Sequence, residues 1–258
     1  MSQFYSGKRS RNFYDPLSKE PFKLSRSKIE NFLKCPRCFY LDRRLGVDQP
    51  PGYPFSLNAA VDTLLKKEFD LLRAKREPHP LFKEYGIDAV PFEHEKMSEW
   101  RETFKGLQYY HNASGFTVTG AVDDIWQNSK GELHVVDYKA TSKNGEVSLD
   151  ADWQRSYKNQ MEIYQWLLRR QPDGFTVSNT GYFVYVNGRT DLESFDAHLE
   201  FDMKIIPYEG DDSWVEKALM DAKAVLDSDK LPQANEGCDY CLYRKSVQDV
   251  LLPFQKNE

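Results

Sequence analysis

The sequence predicts an α/β (α+β) fold in which helices flank a central mixed β-sheet. Two apolar runs, at 115–127 and 132–141, have the composition of strands and are joined by Asn-Ser-Lys-Gly. A helical pattern follows at 150–171 and a further strand pattern at 180–188. With 258 residues, of which 40% are hydrophobic, the chain is long enough to bury one large core.

The N-terminal part is predicted to begin with an irregular, polar arm over residues 1–24. Ser27 and Glu30 then have the spacing of a capping box in front of an apolar run. This pattern predicts a helix over about 27–35, which Pro36 interrupts.

The remaining elements follow from hydrophobic periodicity and turn residues. In chain order they are helices at 58–77 and 98–112, strands at 115–127 and 132–141, a helix at 150–171, strands at 180–188 and 194–206, a helix at 211–229 and a loop at 231–245.

Composition excludes some classes of protein. No run of eighteen apolar residues occurs, which argues against a membrane span. The first twenty residues lack the apolar core of a secretory signal. We therefore expect a cytoplasmic protein, whose four cysteines are more consistent with thiols or metal ligands than with disulfides.

Charge is unevenly distributed along the chain. Residues 1–50 contain 11 Lys/Arg and 5 Asp/Glu, a net charge of +6, so the remainder carries −11. This basic segment is interpreted either as a solvated arm or as a surface that faces phosphates.

The two central strands are predicted to form a hairpin. A three-residue loop over 129–131, with Gly131 in the left-handed conformation, sets Asp123 opposite Asp137. A loop differing by one residue would instead pair Asp123 with Val136. Because strand side chains alternate, Lys139 lies on the same face as Asp137.

Two facing carboxylates need a physical reason to be tolerated. Opposed side chains on paired strands have Cβ atoms roughly 5 Å apart, and like charges there destabilise the sheet. A divalent cation such as Mg²⁺, which prefers oxygen ligands, would remove the repulsion. Two acids, a cation and an ammonium are suited to phosphodiester hydrolysis. The alternative is an exposed strand with scattered charge.

Three short segments resemble the PD-(D/E)XK nuclease superfamily, and within it the RecB-type branch that includes CRISPR-associated iron–sulfur exonucleases. They are Gly120–Asp124 (GAVDD), Val135–Thr141 (VVDYKAT) and Gln160–Tyr164 (QMEIY). The resemblance implies a restriction-endonuclease-like core. It also implies roles for single residues: Asp123, Asp137 and the Tyr138 carbonyl as ligands of Mg²⁺ or Mn²⁺, Lys139 as the catalytic lysine, and Gln160 and Tyr164 facing the DNA or the active centre.

The upstream helix departs from the pattern of that branch. The branch often has a histidine there as a further metal ligand, and this chain has Asp62 in the corresponding stretch. Asp62 is therefore interpreted either as an additional ligand or as a surface acid on an amphipathic helix.

The four cysteines form two Cys-x-x-Cys pairs, Cys35 with Cys38 and Cys238 with Cys241. Two such pairs with no cysteine left over predict one four-thiolate metal centre with a structural role. Resemblance to the RecB-type branch favours a 4Fe–4S cluster. That branch, however, has one early and three late cysteines, whereas the split here is two and two, and Zn²⁺ stays open as the alternative.

The expected organisation is a single nuclease domain over 1–258. Its core would span 55–228, and residues 25–50 and 229–258 would form a subdomain held by the metal centre. Arg37, Arg43, Arg44 and Tyr164 are the candidate DNA-binding residues.

The sequence thus predicts a metal-dependent deoxyribonuclease, exonuclease-like and acting on single-stranded or flayed DNA in DNA processing, repair or CRISPR adaptation. No nucleotide-binding Gly-x-x-x-x-Gly-Lys-Ser/Thr stretch occurs, so any helicase or integrase partner would be a separate protein. Two alternatives stay open: a non-catalytic, metal-stapled DNA-binding module, and an RNA- or nucleotide-directed phosphodiesterase.

Overall fold

The structure, a computed structural model, describes residues 7–9, 11–52 and 56–255. The first six residues and Ser10 of the predicted arm lie outside this described part. Two compact units are present. The first comprises Met1–Tyr53, Tyr110–Thr117 and Trp214–Glu258, and the second comprises Pro54–Tyr109 and Val118–Ser213.

The helices and strands are numbered in chain order. The helices are α1 (Arg26–Lys34), α2 (Pro36–Arg43), α3 (Ser56–Lys75), α4 (Pro80–Tyr85), α5 (Met97–Trp100), α6 (Arg155–Arg169), α7 (Val215–Asp227) and α8 (Asp239–Gln255). The strands are β1 (Phe22–Ser25), β2 (Val90–Pro91), β3 (Leu107–His111), β4 (Phe116–Gly120), β5 (Asp124–Gln127), β6 (Leu133–Thr141), β7 (Thr180–Gly188) and β8 (Phe201–Glu209). A 3₁₀ turn at Asp152–Gln154 precedes α6.

The predicted fold class is confirmed by a five-stranded mixed sheet in the second unit. Its strand order is β2-β5-β6-β7-β8, in which β6 and β7 are parallel and the other neighbours are antiparallel. A smaller sheet has the order β1-β4-β3. No helix within the described ranges has both the length and the apolar character needed to cross a bilayer.

The helix predicted at 98–112 is wrong. Only the short helix α5 occurs there, and Leu107–His111 form strand β3. The helix cannot continue because Gly106 has a positive φ of 65°. A Cβ atom at Gly106 would lie 2.4 Å from the carbonyl oxygen of Gly120, so this position also requires a residue without a side chain.

The predicted strand at 115–127 is divided into β4 and β5. The intervening segment, 121–123, leaves the strand pairing because the backbone N–H of Val122 donates to the Trp100 carbonyl over 3.1 Å. As a result, Asp123 lies directly before β5 instead of within a strand.

Three further element boundaries differ from those predicted. The segment 231–245 is not all loop, because α8 begins at Asp239 after a turn in which Cys238 N–H donates to the Asn235 carbonyl over 3.1 Å. Pro36 does not simply interrupt a helix, since it occupies the first turn of α2, where its missing N–H costs nothing. The strand predicted from residue 194 begins at Phe201.

Strand β6 has different partners on its two faces. Tyr138 stacks on Phe69 of α3, with ring centroids 5.6 Å apart, in a core that also contains Trp126 and Phe82. The neighbouring residue, Lys139, lies over a ring of α6. This alternation lets one strand stabilise the core and also present polar side chains.

Candidate active site and candidate metal centre

The hairpin has the predicted geometry. Val136 pairs with Asp124, and Leu133 pairs with Gln127, so the same register continued by one residue sets Asp123 opposite Asp137. Gly131 has φ 84°, and its N–H closes the turn on the Asn128 carbonyl at 2.9 Å. The alternative pairing of Asp123 with Val136 is therefore wrong.

Hydrogen bonding fixes the first acid beside β6. The carboxylate Oδ2 of Asp123 accepts the backbone N–H of Tyr138 over 2.9 Å. This bond holds Asp123 next to Asp137 although Asp123 itself lies outside the paired strand. The Asp123 side chain keeps 21% of its surface exposed.

The second acid and the lysine form an ion pair on β6. The side chain of Asp137 is fully buried, and its Oδ2 contacts the Nζ of Lys139. Lys139 is 14% exposed, and its Nζ lies 4.4 Å from the ring centroid of Tyr157 on α6. The tyrosine ring stabilises the ammonium through a cation–π interaction and limits its movement.

Helix α3 brings a second lysine into the site. Lys66 Nζ lies 2.9 Å from Asp62 Oδ2 and 3.4 Å from Asp123 Oδ1. Burial disfavours the charged form of Lys66, but the negative charges of Asp123 and Asp62 outweigh it and raise its pKa. Lys66 thus stays protonated at neutral pH. Sequence reasoning missed this residue, although its position four residues after Asp62 was a usable signal.

The neighbouring acid, Asp124, has a structural role. It is fully buried, and its Oδ1 lies 2.6 Å from the Arg73 Nη2 and 3.1 Å from the Arg101 Nη2. Its Oδ2 accepts the Tyr138 hydroxyl over 2.8 Å. Burial and the charge of Asp124 raise the pKa of Tyr138 well above its ordinary value. Of the two adjacent acids, only Asp123 is left to face the cavity.

A cavity of about 340 Å³ lies at this end of β6. Asp123 and Lys139 line it from the hairpin, Asp62 lines it from α3, and Tyr157 lines it from α6. Within the described residues, the acids of this site do not form a group of three lying within 4.8 Å of one another. The ion pairs described above place a lysine ammonium against each of the three acids of the site, Asp62, Asp123 and Asp137.

Gln160 and Tyr164 are brought together on α6. The Gln160 amide donates to the Tyr164 hydroxyl over 3.1 Å, and Tyr164 is only 4% exposed. A Cβ atom at Gly120 would lie 2.7 Å from the Tyr164 ring. The glycine and the tyrosine of the sequence motifs are thus packing partners, and the buried tyrosine has little surface for direct contact with DNA.

The candidate DNA-binding arginines lie in the first unit, and each has a protein partner. Arg43 is buried and pairs with Asp42 at 2.7 Å, which leaves no exposed guanidinium for a phosphate. Arg37 donates to the Pro232 carbonyl over 2.9 Å, and Arg44 lies 3.6 Å from Asp229. Arg37 and Arg44 keep part of their surface exposed.

The four cysteines, from two distant parts of the sequence, meet in the first unit. Their sulfur atoms all lie within 4.8 Å of one another. Sγ–Sγ separations are 3.8 Å for Cys35 and Cys241, 3.5 Å for Cys38 and Cys238, and 3.6 Å for Cys38 and Cys241. Burial opposes ionisation of Cys35, but backbone hydrogen bonds from Asn235 and Cys38 help to lower its pKa to about 7. Burial raises the pKa of Cys38.

These three separations have the size expected around one tetrahedral ion. A metal–sulfur bond of about 2.3 Å corresponds to sulfur atoms about 3.8 Å apart. In a cubane each thiolate binds a different iron, so the four sulfurs stand farther apart than around a single ion. Arg244 adds positive charge beside the sulfurs, since its Nη2 lies 3.1 Å from Cys241 Sγ.

The sequence profile of the PD-(D/E)XK nuclease superfamily matches residues 56–246. The chain belongs to this superfamily. The match includes β5, β6 and α6, and with them the segment Asp137-Tyr138-Lys139 on β6 of this PD-(D/E)XK protein. Members of the superfamily are nucleases that use divalent metal ions.

Other comparisons add little about this PD-(D/E)XK protein. A solved structure titled "Crystal structure of SSO0001" is similar at 17% sequence identity and a TM-score of 0.42, covering 88% of this chain and 86% of that chain. No curated protein sequence matches significantly.

Proposed function

We propose that this protein is a cytoplasmic, metal-dependent deoxyribonuclease of the RecB-type branch that hydrolyses DNA phosphodiester bonds, acting as an exonuclease on single-stranded or flayed DNA. The observation that carries the proposal is that Asp123 and Lys139 line one cavity and that the buried Asp137 contacts Lys139 Nζ. We place its role in DNA processing, repair or CRISPR adaptation, with a separate helicase or integrase as partner.

The residues at the cavity suit a divalent cation. Asp123 and Asp137 offer carboxylate oxygens, as does Asp62 from α3, and the ammonium of Lys66 already lies between Asp62 and Asp123 as a stand-in cation. The Tyr138 carbonyl is the further ligand in this proposal. A bound Mg²⁺ or Mn²⁺ would neutralise charge on the phosphate and lower the pKa of water beside it.

Lys139 is the catalytic lysine in this proposal. Its ammonium is held between the Asp137 carboxylate and the Tyr157 ring, so its direction is set before substrate binds. From there it can donate a hydrogen bond to a phosphate oxygen or to the attacking water. The low exposure of Lys139 strengthens this interaction, because few waters compete for the charge.

Replacing Lys139 with methionine tests the proposal directly. We expect kcat for cleavage of labelled DNA in Mn²⁺ to fall by about 100- to 1,000-fold, because the substitution removes the charge that stabilises the transition state. Mn²⁺ binding should not weaken, since no proposed ligand is lost.

The matched control is Lys143→Met, which removes an exposed lysine from the same unit and should leave cleavage unchanged. If wild-type protein bound DNA but cleaved neither DNA nor RNA in Mn²⁺ or Mg²⁺, the non-catalytic binding module would replace this proposal. Cleavage of RNA alone would instead favour the RNA-directed alternative.

Lys66 is proposed to hold the metal position in the absence of an ion. Replacing it with methionine removes a competing cation but keeps the aliphatic stem, so Mn²⁺ should bind about 5-fold more tightly by calorimetric titration. Lys67→Met removes the next, exposed lysine of α3 and should leave the affinity unchanged. Equal affinity in both variants would show that Lys66 does not compete with the ion.

For the four-cysteine centre, we propose a structural Zn²⁺ ion. Three of the six sulfur separations are 3.5–3.8 Å and none exceeds 4.8 Å, which supports one tetrahedral ion and not the 4Fe–4S cluster favoured by the sequence resemblance. The positive charge of Arg244 offsets the excess negative charge of four thiolates on one divalent ion.

A further inference from the structure

Trp153 is an exposed aromatic side chain beside the candidate active site. It lies in the 3₁₀ turn before α6 and keeps 64% of its surface accessible. All five tryptophans lie in the described part of the chain, and this one is the most exposed, since three are buried and Trp214 is half-buried. A ligand that covers this ring would gain the free energy of burying its apolar surface.

Two ring contacts connect Trp153 to the catalytic lysine. Its ring meets Tyr157 edge-on, with centroids 5.4 Å apart and planes at 82°. The Tyr157 ring lies 4.4 Å from Lys139 Nζ. Trp153 is therefore at most about 10 Å from that nitrogen, a distance of about three stacked nucleotides along one strand.

The turn that carries Trp153 is fixed by its buried neighbour. Gln154 is 5% exposed, and its side chain accepts the Ala151 N–H over 2.9 Å and donates to the Ser148 carbonyl over 2.6 Å. It also donates to the Tyr185 hydroxyl over 3.1 Å, and Tyr185 pairs with Lys139 across β6 and β7. The turn that carries the ring is thus held in place relative to the site, which lowers the entropy lost when a ligand binds.

We propose that Trp153 is a stacking platform for an unpaired nucleobase one to three nucleotides from the scissile phosphate. A planar, exposed ring at this distance from a phosphate-binding lysine suits the face of a base, and such stacking tolerates any sequence. Within a duplex both faces of a base are covered, so the platform selects single-stranded or flayed ends. This inference rests on the proposed nuclease function and names how that site recognises its substrate.

Binding is tested without cleavage, in EDTA, with an oligothymidylate of about 12 nucleotides. We expect Trp153→Ala to raise the Kd for the oligothymidylate by about 5- to 100-fold, and Trp153→Phe to restore most of the affinity. Phe195→Ala removes another exposed ring of the same unit and should have no effect. Oligothymidylate should quench an iodide-accessible tryptophan fluorescence that Trp153→Phe lacks.

Cleavage measured separately in Mn²⁺ distinguishes a failure of the stacking platform from a failure of the proposed nuclease function. We expect Trp153→Ala to raise KM for single strands with little change in kcat. Normal cleavage with unchanged affinity in Trp153→Ala would overturn the stacking platform alone. Failure of the wild-type protein to bind or cleave any nucleic acid would overturn both the platform and the proposed function.

Discussion

Replacing Asp137 with asparagine is expected to reduce DNA cleavage by about 1,000-fold or more while the protein remains folded. The amide keeps the shape of the carboxylate but loses the charge that a divalent cation needs. Because Asp137 is fully buried and contacts Lys139, exposed acids cannot replace it. Labelled single-stranded DNA in Mn²⁺ measures the rate, and calorimetric titration should show loss of Mn²⁺ binding.

The control for this experiment is Asp150→Asn, the same chemical change at an exposed position in the same unit, which should cleave normally. Asp137→Asn leaves Lys139 without its partner, and breaking a buried ion pair by removing one member is destabilising. Thermal unfolding should therefore accompany the assay, with the double substitution Asp137→Asn and Lys139→Met as a variant that leaves no unpaired charge. Near-normal cleavage by folded Asp137→Asn would place the active site elsewhere.

Replacing Cys38 with serine is expected to remove the bound metal and lower Tm by about 10 °C. Loss of a structural metal costs several kcal/mol, and 1 kcal/mol corresponds to about 2–4 °C in a chain of this size. The loss of stability should be largest in α8, since none of the residues described in that helix is buried and Cys241 lies in its first turn. Limited proteolysis should then cut α8 before the rest of the chain.

Metal analysis of the same proteins tests the identity of the ion. One Zn²⁺ per chain in wild-type protein purified without oxygen, and a colourless solution, would support the tetrahedral site, whereas brown protein containing iron and sulfide would overturn it. Ser246→Ala changes an exposed residue of α8 and should keep both metal and Tm. Retention of metal and Tm by Cys38→Ser would contradict a four-thiolate centre.

Local features were the ones that the sequence predicted well. The facing arrangement of Asp123 and Asp137 depends on one short turn and on Gly131, all within fifteen residues. The four-cysteine group was predictable for another reason, because two Cys-x-x-Cys pairs with no cysteine left over are typical of one four-thiolate metal centre. Cysteine spacing along the sequence does not choose between Zn²⁺ and a 4Fe–4S cluster, because the two differ in the distances between sulfurs in the folded chain.

Features set by distant contacts were missed or misjudged. The helix expected at 98–112 fails because Gly106 approaches the Gly120 carbonyl, a contact that local periodicity does not reveal. The sequence does not single out Lys66 among the lysines of α3, because only the packing of α3 against the hairpin brings its Nζ to within 3.4 Å of Asp123. The role of Trp153 likewise depends on Tyr157 and Lys139, which come from two different elements.

The distance along the chain between the two cysteine pairs has a consequence for biosynthesis. Cys38 and Cys238 are separated by 200 residues, so Cys35 and Cys38 leave the ribosome about 10–40 s before their partners. During that interval the early thiols can hold an ion only incompletely, and a chain that stops before Cys238 cannot complete the centre. A complete metal centre would thus form only in chains whose translation has passed the catalytic core. Interrupted products would keep an incomplete centre and an N-terminal segment that is sensitive to proteases.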